Sequence, residues 1–175
     1  SSPIAEAAGT SLVTATLDAV SGLDVTVNLG YTDGTATLTD DYTVTTSQIV
    51  IAAGSLSGSV TGITSVADAI FEGNETVVVD ITGVTNGTES GTQQATVTIT
   101  DDDSAPTVTL SESGSPIAED GGVSTLTATL SNPSTSAVTV NLGYSGTATG
   151  GGVDYTASGT QIIIAAGSTT GNVTI

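Results

Sequence analysis

The chain copies itself at long range. Pro3-Ile4-Ala5-Glu6 returns as Pro116-Ile117-Ala118-Glu119, and Val25-Thr26-Val27-Asn28-Leu29-Gly30-Tyr31 returns unchanged as Val138 to Tyr144. Asp41-Tyr42 returns as Asp154-Tyr155, and Ile51-Ala52-Ala53-Gly54-Ser55 returns as Ile164 to Ser168. Each pair lies 113 residues apart. A fixed period of this size describes a tandem array of domains, not a solenoid of small units. The copies fall at residues 1–103 and 104–175.

What each copy folds into follows from its alternation. Val25, Val27, Leu29 and Tyr31 share one face, with Thr26, Asn28 and Gly30 on the other. Val77-Val78-Val79-Asp80-Ile81 and Ala95-Thr96-Val97-Thr98-Ile99 read similarly, as half-buried strands do. Strands are expected near 11–18, 24–32, 35–39, 43–52, 58–64, 76–82 and 95–100, with a turn near Val66–Glu72 and no other helix. The fold class is all-β: antiparallel sandwiches in tandem, end to end. Aromatic bulk is limited to Phe71 and four Tyr, so the core is aliphatic. Longer apolar runs such as Ile162-Ile163-Ile164-Ala165-Ala166 are strand-sized, far short of the ~20 residues of a membrane helix.

Charge narrows the chemistry. The chain has 18 acids and no Lys, Arg or His, a formal charge of −18. Nucleic-acid binding is excluded, because phosphate neutralisation requires Lys or Arg. An anionic membrane surface repels such a chain. Without Cys there are no disulfides, thiol nucleophiles or thiolate metal sites. Without Lys there is no Schiff base and no Lys–Asn isopeptide bond; without His or Cys the usual triads and zinc sites are gone. Hydroxyl and carboxylate oxygens remain, the ligand set of a hard cation such as calcium.

The acids are not scattered evenly. With the seven main strands labelled A to G, Glu6 falls in the A–B loop, Asp40-Asp41 in the C–D loop, Asp68 and Glu72 in the E–F loop, and Asp101-Asp102-Asp103 after G. Alternate loops of an antiparallel sandwich share one pole, so these carboxylates are expected to converge there. Two carboxylates ~4 Å apart repel by ~4 kcal/mol at an effective dielectric of 20. A cation relieves that repulsion, and calcium, which takes 6–8 oxygens in irregular geometry, suits ligands drawn from four segments. Glu75 is read as opening a strand, with a supporting place behind the metal ligands as the alternative. Asp18, Asp24, Asp33, Asp80, Glu89 and Glu112 are read as solubilising surface charge, and Tyr42 and Tyr155 as packing residues. Three Asn-x-Thr triplets, at Asn74, Asn86 and Asn172, fit a glycosylation sequon, a pattern that chance supplies in a Thr-rich chain.

Together these motifs resemble the Calx-beta domain. The matching residues are Ile4-Ala5-Glu6, Gly34-Thr35-Ala36 leading to Asp41-Tyr42, and Ile51 to Ser55. They continue through Asp68 and Phe71-Glu72-Gly73-Asn74-Glu75-Thr76 to Ile99-Thr100-Asp101-Asp102-Asp103. The resemblance implies an immunoglobulin-like sandwich that binds calcium. The implied ligands are Glu6, Asp41, Asp68, Glu72, Asp101 and Asp103, with Asp102 beside them, and Glu119 and Asp154 in the second copy. It departs from the family at Ala67-Asp68-Ala69, where calcium-binding members carry consecutive Asp, which implies fewer ions or weaker binding.

The functional expectation is a structural or adhesive repeat of an extracellular bacterial surface protein or filament, stiffened by calcium at the interdomain pole. Alternatives are a calcium-responsive module contacting a glycan or protein, or a calcium-independent spacer. No enzyme is expected: carboxylates are present, but no substrate-stacking aromatics accompany them. The first copy is expected to lack its first strand, and the second its last two. The expected partners are therefore neighbouring repeats, in one longer polypeptide or as a strand-exchanged homopolymer.

Overall fold

The computed structural model describes residues 2–175 and divides into two compact units. The first unit runs to Asp68 and resumes at Gly73–Asp102; the second comprises Ala69–Glu72 and Asp103–Ile175. Among the described residues there is no helix, so the turn expected near Val66–Glu72 is not helical.

The first unit contains β1 (Ile4–Ala5), β2 (Thr10–Thr16), β3 (Val25–Asp33), β4 (Tyr42–Val44), β5 (Gln48–Ile51), β6 (Ser57–Ser65), β7 (Glu75–Thr85) and β8 (Gln94–Thr100). They form a five-stranded sheet, β1-β8-β7-β3-β5, and a three-stranded sheet, β2-β6-β4. All pairings are antiparallel except β1 with β8, which sets Ile4 beside Ile99. Both sheets contribute to one aliphatic core. Val25, Val27, Leu29, Ile49, Ile51, Val77, Val79, Val97 and Ile99 enter it from the larger sheet, Tyr42 and Ile63 from the smaller. Each such side chain contributes about 1.5–3 kcal/mol through burial.

Two β-bulges adjust the alternation. In β7, Asn28 pairs with Gly83 but Leu29 pairs with Ile81, so Thr82 is the extra residue. The bulge shifts the inward face from odd to even positions: Val77, Val79 and Ile81 pack on the core, and beyond the bulge Val84 does. In β6 an extra residue between Thr61 and Thr64 brings Val60 and then Ile63 inward. Gly62 lies at this bulge, where a Cβ would stand 2.7 Å from Val13 and 2.8 Å from the Tyr31 hydroxyl.

Some sequence expectations need correction. Residues 35–39 are not a strand; the Gly34, Thr35 and Ala36 N–H groups all donate to the Thr76 carbonyl, folding the segment into a loop. The strand expected over 43–52 breaks between β4 and β5, which join different sheets. Ile4–Ala5, read as loop, is a short strand.

The second unit contains β9 (Val108–Ser113), β10 (Thr125–Leu130), β11 (Val138–Asn141), β12 (Gln161–Ile164) and β13 (Thr170–Thr174). The sheets are β13-β10-β9 and β11-β12, around a core of Ala128, Leu130, Ile162 and Ile164. Ile63 is fully buried at the heart of the first unit. Ile63→Ala is expected to lower that unit's stability by about 2–5 kcal/mol, measured as a drop in its urea midpoint, while Ile163→Ala, at a position that is 64% exposed, moves the second unit little.

Candidate functional site

The loop that carries Glu6 is tied down from three sides. Its backbone N–H donates to the Thr100 carbonyl at 3.0 Å, which places it at the exit of β8. The Ser65 hydroxyl, at the end of β6, lies 2.9 Å from the Ala5 carbonyl oxygen and 3.1 Å from that of Gly9, and it accepts the Gly9 N–H at 2.8 Å. The turn is tight enough that a Cβ on Gly9 would overlap the Ala5 carbonyl oxygen. Gly122 makes the same approach to Ala118 in the second copy, so this turn geometry repeats with the sequence.

From that loop Glu6 turns inward. It is only 5% exposed, and its Oε1 accepts the backbone N–H of Asp68 at 3.0 Å. The carboxylates of Glu6 and Asp68 can approach within 4.8 Å of one another. Asp101 accepts the Gly73 N–H at 2.5 Å, binding the end of β8 to the residue that leads into β7. Asp41 is 8% exposed; its Oδ2 accepts the Thr37 N–H at 2.5 Å, and its carbonyl accepts the Val66 N–H at 2.8 Å. A carboxylate oxygen of Asp41 lies within 4.8 Å of one from Glu75. Within the first unit, the loops that carry Glu6 and Asp41 are both bonded to the Val66–Asp68 segment, and Asp101 holds Gly73. Glu75 opens β7, and its carboxylate also stands beside that of Asp41, the position that the alternative reading of this residue gave it.

Asp102 belongs to the first unit and is exposed. Glu72 and Asp103 belong to the second unit, with Glu119 and Asp154. Glu119 is exposed, and it lines a cleft of about 420 Å³ with Asp154 and Tyr155. Asp154 accepts the Thr149 N–H at 2.7 Å, repeating the Asp41–Thr37 ring although one more residue separates donor and acceptor. The loop around Asp41 carries backbone strain. Thr39 has φ of 81°, and its 113-residue counterpart Gly152 has φ of 85°. A β-branched residue there is an outlier that glycine avoids.

Four acids read as surface charge have specific partners. Asp33 accepts the Tyr42 hydroxyl at 2.6 Å, Asp24 the Ala53 N–H at 2.8 Å, Glu89 the Gln93 N–H at 2.6 Å, and Glu112 the Ser124 hydroxyl at 2.5 Å. Asp80 is half-buried, with Oδ1 enclosed and unpartnered. These contacts leave no periodic signal in the sequence. Chemically, the clustered carboxylates of the first unit offer hard oxygen ligands with no cationic side chain to neutralise them.

Burial, the Asp33 hydrogen bond and the Asp33 charge all push the Tyr42 hydroxyl pKa well above its ordinary 10. The unfolded chain therefore loses this proton first as pH rises, so the associated stability is present below pH ~10 and is lost above it. Tyr31 shifts in the same direction through burial. Melting curves at pH 9 and 11 are expected to show an alkaline loss of stability that Tyr42→Phe reduces.

A family model described as the Calx-beta domain matches residues 2–103 and 101–175. No match is found among curated proteins. Among solved structures the chain is similar to the calcium binding domain CBD12 of CALX1.1, with 18% identity and a TM-score of 0.53, covering 99% of this chain and 71% of that one. It is likewise similar to CBD12 from CALX1.2, with 17% identity, a TM-score of 0.53 and the same coverage. At these identities the likeness is one of fold.

Proposed function

The chain belongs to the Calx-beta family, and from that premise we propose that its first unit binds calcium through Glu6, Asp41, Asp68 and Asp101, with Glu75 behind Asp41. The observation that carries this reading is Glu6. A carboxylate that is 5% exposed sits beside a second carboxylate in a chain with no Lys, Arg or His. Two carboxylates this close repel, and a cation from solution offsets that repulsion. All the available ligands are oxygens from separate loops, which favours calcium over magnesium with its stricter octahedron. The likeness in fold to a protein described as a calcium binding domain supports the same choice.

The role we propose is structural: a repeat of an extracellular surface protein or filament, in which calcium fixes the loop ends and neighbouring repeats are the partners. The internal duplication supports it, as does the fit between hard-cation ligands and extracellular calcium levels. Binding and support are proposed, not catalysis.

With a Kd near ~10⁻⁴–10⁻³ M, 10 mM calcium is expected to stabilise the first unit by about 1–3 kcal/mol. Calorimetric titration and melting in calcium against EDTA check this. Asp68→Asn with Asp101→Asn is expected to remove both the heat and the melting shift while preserving the β-sheet circular dichroism of the parent. Identical melting curves in calcium and EDTA for the parent chain would refute calcium binding at a stabilising site.

A further inference from the structure

One loop of the first unit is fastened at its neck by two side chains. Asp33 ends β3 and Tyr42 opens β4, strands of different sheets. The Tyr42 hydroxyl donates to Asp33 at 2.6 Å, which closes the segment 34–41 at its base. Asp41 is the last residue of that segment. Tyr42 is fully buried in the core, so one jaw of this clasp is fixed. Within the segment the Asp41 carboxylate accepts the Thr37 N–H, and the Asp41 N–H donates to the Thr37 carbonyl at 3.0 Å. The turn between them is made by Thr39, whose N–H donates to the Tyr42 carbonyl at 2.8 Å and whose φ is 81°. A β-branched residue is strained there, and such strain persists only where the surroundings fix it.

The same loop in the second copy has neither the strain nor the clasp. The first copy reads Tyr31-Thr32-Asp33 and then Gly34-Thr35-Ala36-Thr37; the second reads Tyr144-Ser145 and then Gly146-Thr147-Ala148-Thr149. It is one residue shorter at this place, and the carboxylate is missing. Further on, Gly152 stands two residues before Asp154, as Thr39 stands two before Asp41. The Gly152 N–H donates to the Tyr155 carbonyl at 3.0 Å, as the Thr39 N–H does to that of Tyr42. Its φ of 85° is one that glycine adopts without strain. The turn therefore recurs in both copies, and the clasp is found in the copy whose turn is strained.

We infer that Asp33 and Tyr42 are positioning residues for calcium binding: their bond holds the strained turn at Thr39 closed and keeps the Asp41 carboxylate in place before the cation arrives. This role rests on the calcium reading of the first unit given above. A loop already ordered spends less of its binding free energy on ordering when its ligand binds. Asp33 acts here through the hydroxyl it accepts and not through its charge, and Tyr42 acts through the loop it anchors. Thr39 is the residue that makes the clasp necessary, since without it nothing opposes the return of a β-branched residue to negative φ.

Calorimetric calcium titration of the full chain and its variants, at a temperature where melting curves show each to be folded, tests this. Tyr42→Phe removes the hydroxyl and no charge, and is expected to raise the calcium Kd about three- to tenfold, the factor that one ordinary hydrogen bond supplies. Asp33→Ala is expected to do the same. Asp33→Asn keeps an acceptor for the hydroxyl and is expected to bind calcium as the parent does. Thr39→Gly added to Tyr42→Phe is expected to recover most of the lost affinity, because glycine holds the turn without a clasp. In EDTA, hydrogen exchange at the Thr37 N–H is expected to quicken in Tyr42→Phe and to slow again when Thr39→Gly is added. The proposal is overturned if Tyr42→Phe binds calcium as tightly as the parent, if Asp33→Asn is as weak as Asp33→Ala, or if Thr37 exchange in EDTA is unchanged by Tyr42→Phe. It is also overturned if Thr39→Gly recovers no affinity. A parent chain that takes up no calcium overturns the calcium reading itself, whereas a parent that binds and a Tyr42→Phe chain that binds equally overturn the clasp alone.

Discussion

A chain without a single cationic side chain must satisfy its carboxylates by other means, and this fold is organised by how it does so. Backbone N–H groups serve Glu6, Asp24, Asp41, Glu89, Asp101 and Asp154; hydroxyls serve Asp33 and Glu112. Each acid therefore holds a particular turn or loop end. Charge-assisted hydrogen bonds of this kind are stronger than neutral ones, and they tie the loops to the strands they follow. The same arrangement leaves net negative charge where loops meet, and so ligand geometry and loop geometry arise from the same residues.

The sandwich beneath is built from small aliphatic side chains, which demand accurate register. The two bulges show how the register is kept. In a regular strand of this sequence Val84 would leave the face set by Val77, Val79 and Ile81, and Val60 and Ile63 would lie on opposite faces; the bulges at Thr82 in β7 and between Thr61 and Thr64 in β6 return them to the core side. Close approach at Gly62 and Gly9 lets the backbone come near Tyr31 and Ala5 where a side chain would collide. Core packing and site placement are thus coupled, since the bulged strand β6 ends at Ser65, whose hydroxyl holds the Glu6 loop.

Much of this was legible in the sequence, for definite reasons. Alternation identified β3, β7 and β8 because a half-buried strand must alternate. The repeat identified Glu6, Asp41 and their counterparts because it separated a recurring motif from background acidity. Connectivity then placed Glu6, Asp41, Asp68 and Asp101 at neighbouring loop ends. What escaped was geometric rather than periodic. The loop at Gly34–Ala36 uses strand-like residues, and only its shared acceptor, the Thr76 carbonyl, reveals the turn. Bulges leave an alternation that looks merely imperfect, and Asp24, Asp33 and Glu112 make contacts that no periodicity encodes.

The Tyr42–Asp33 hydrogen bond has an optical consequence. The chain has no Trp and only four Tyr, so its ultraviolet emission is tyrosine emission alone. A phenol bonded to a carboxylate can pass its proton to that acceptor in the excited state, and so Tyr42 emits differently from a phenol in water. It stands next to Asp41 in the chain, at the start of β4. The protein thereby carries a built-in fluorophore beside its carboxylate cluster, where a change in local charge can be followed without a label.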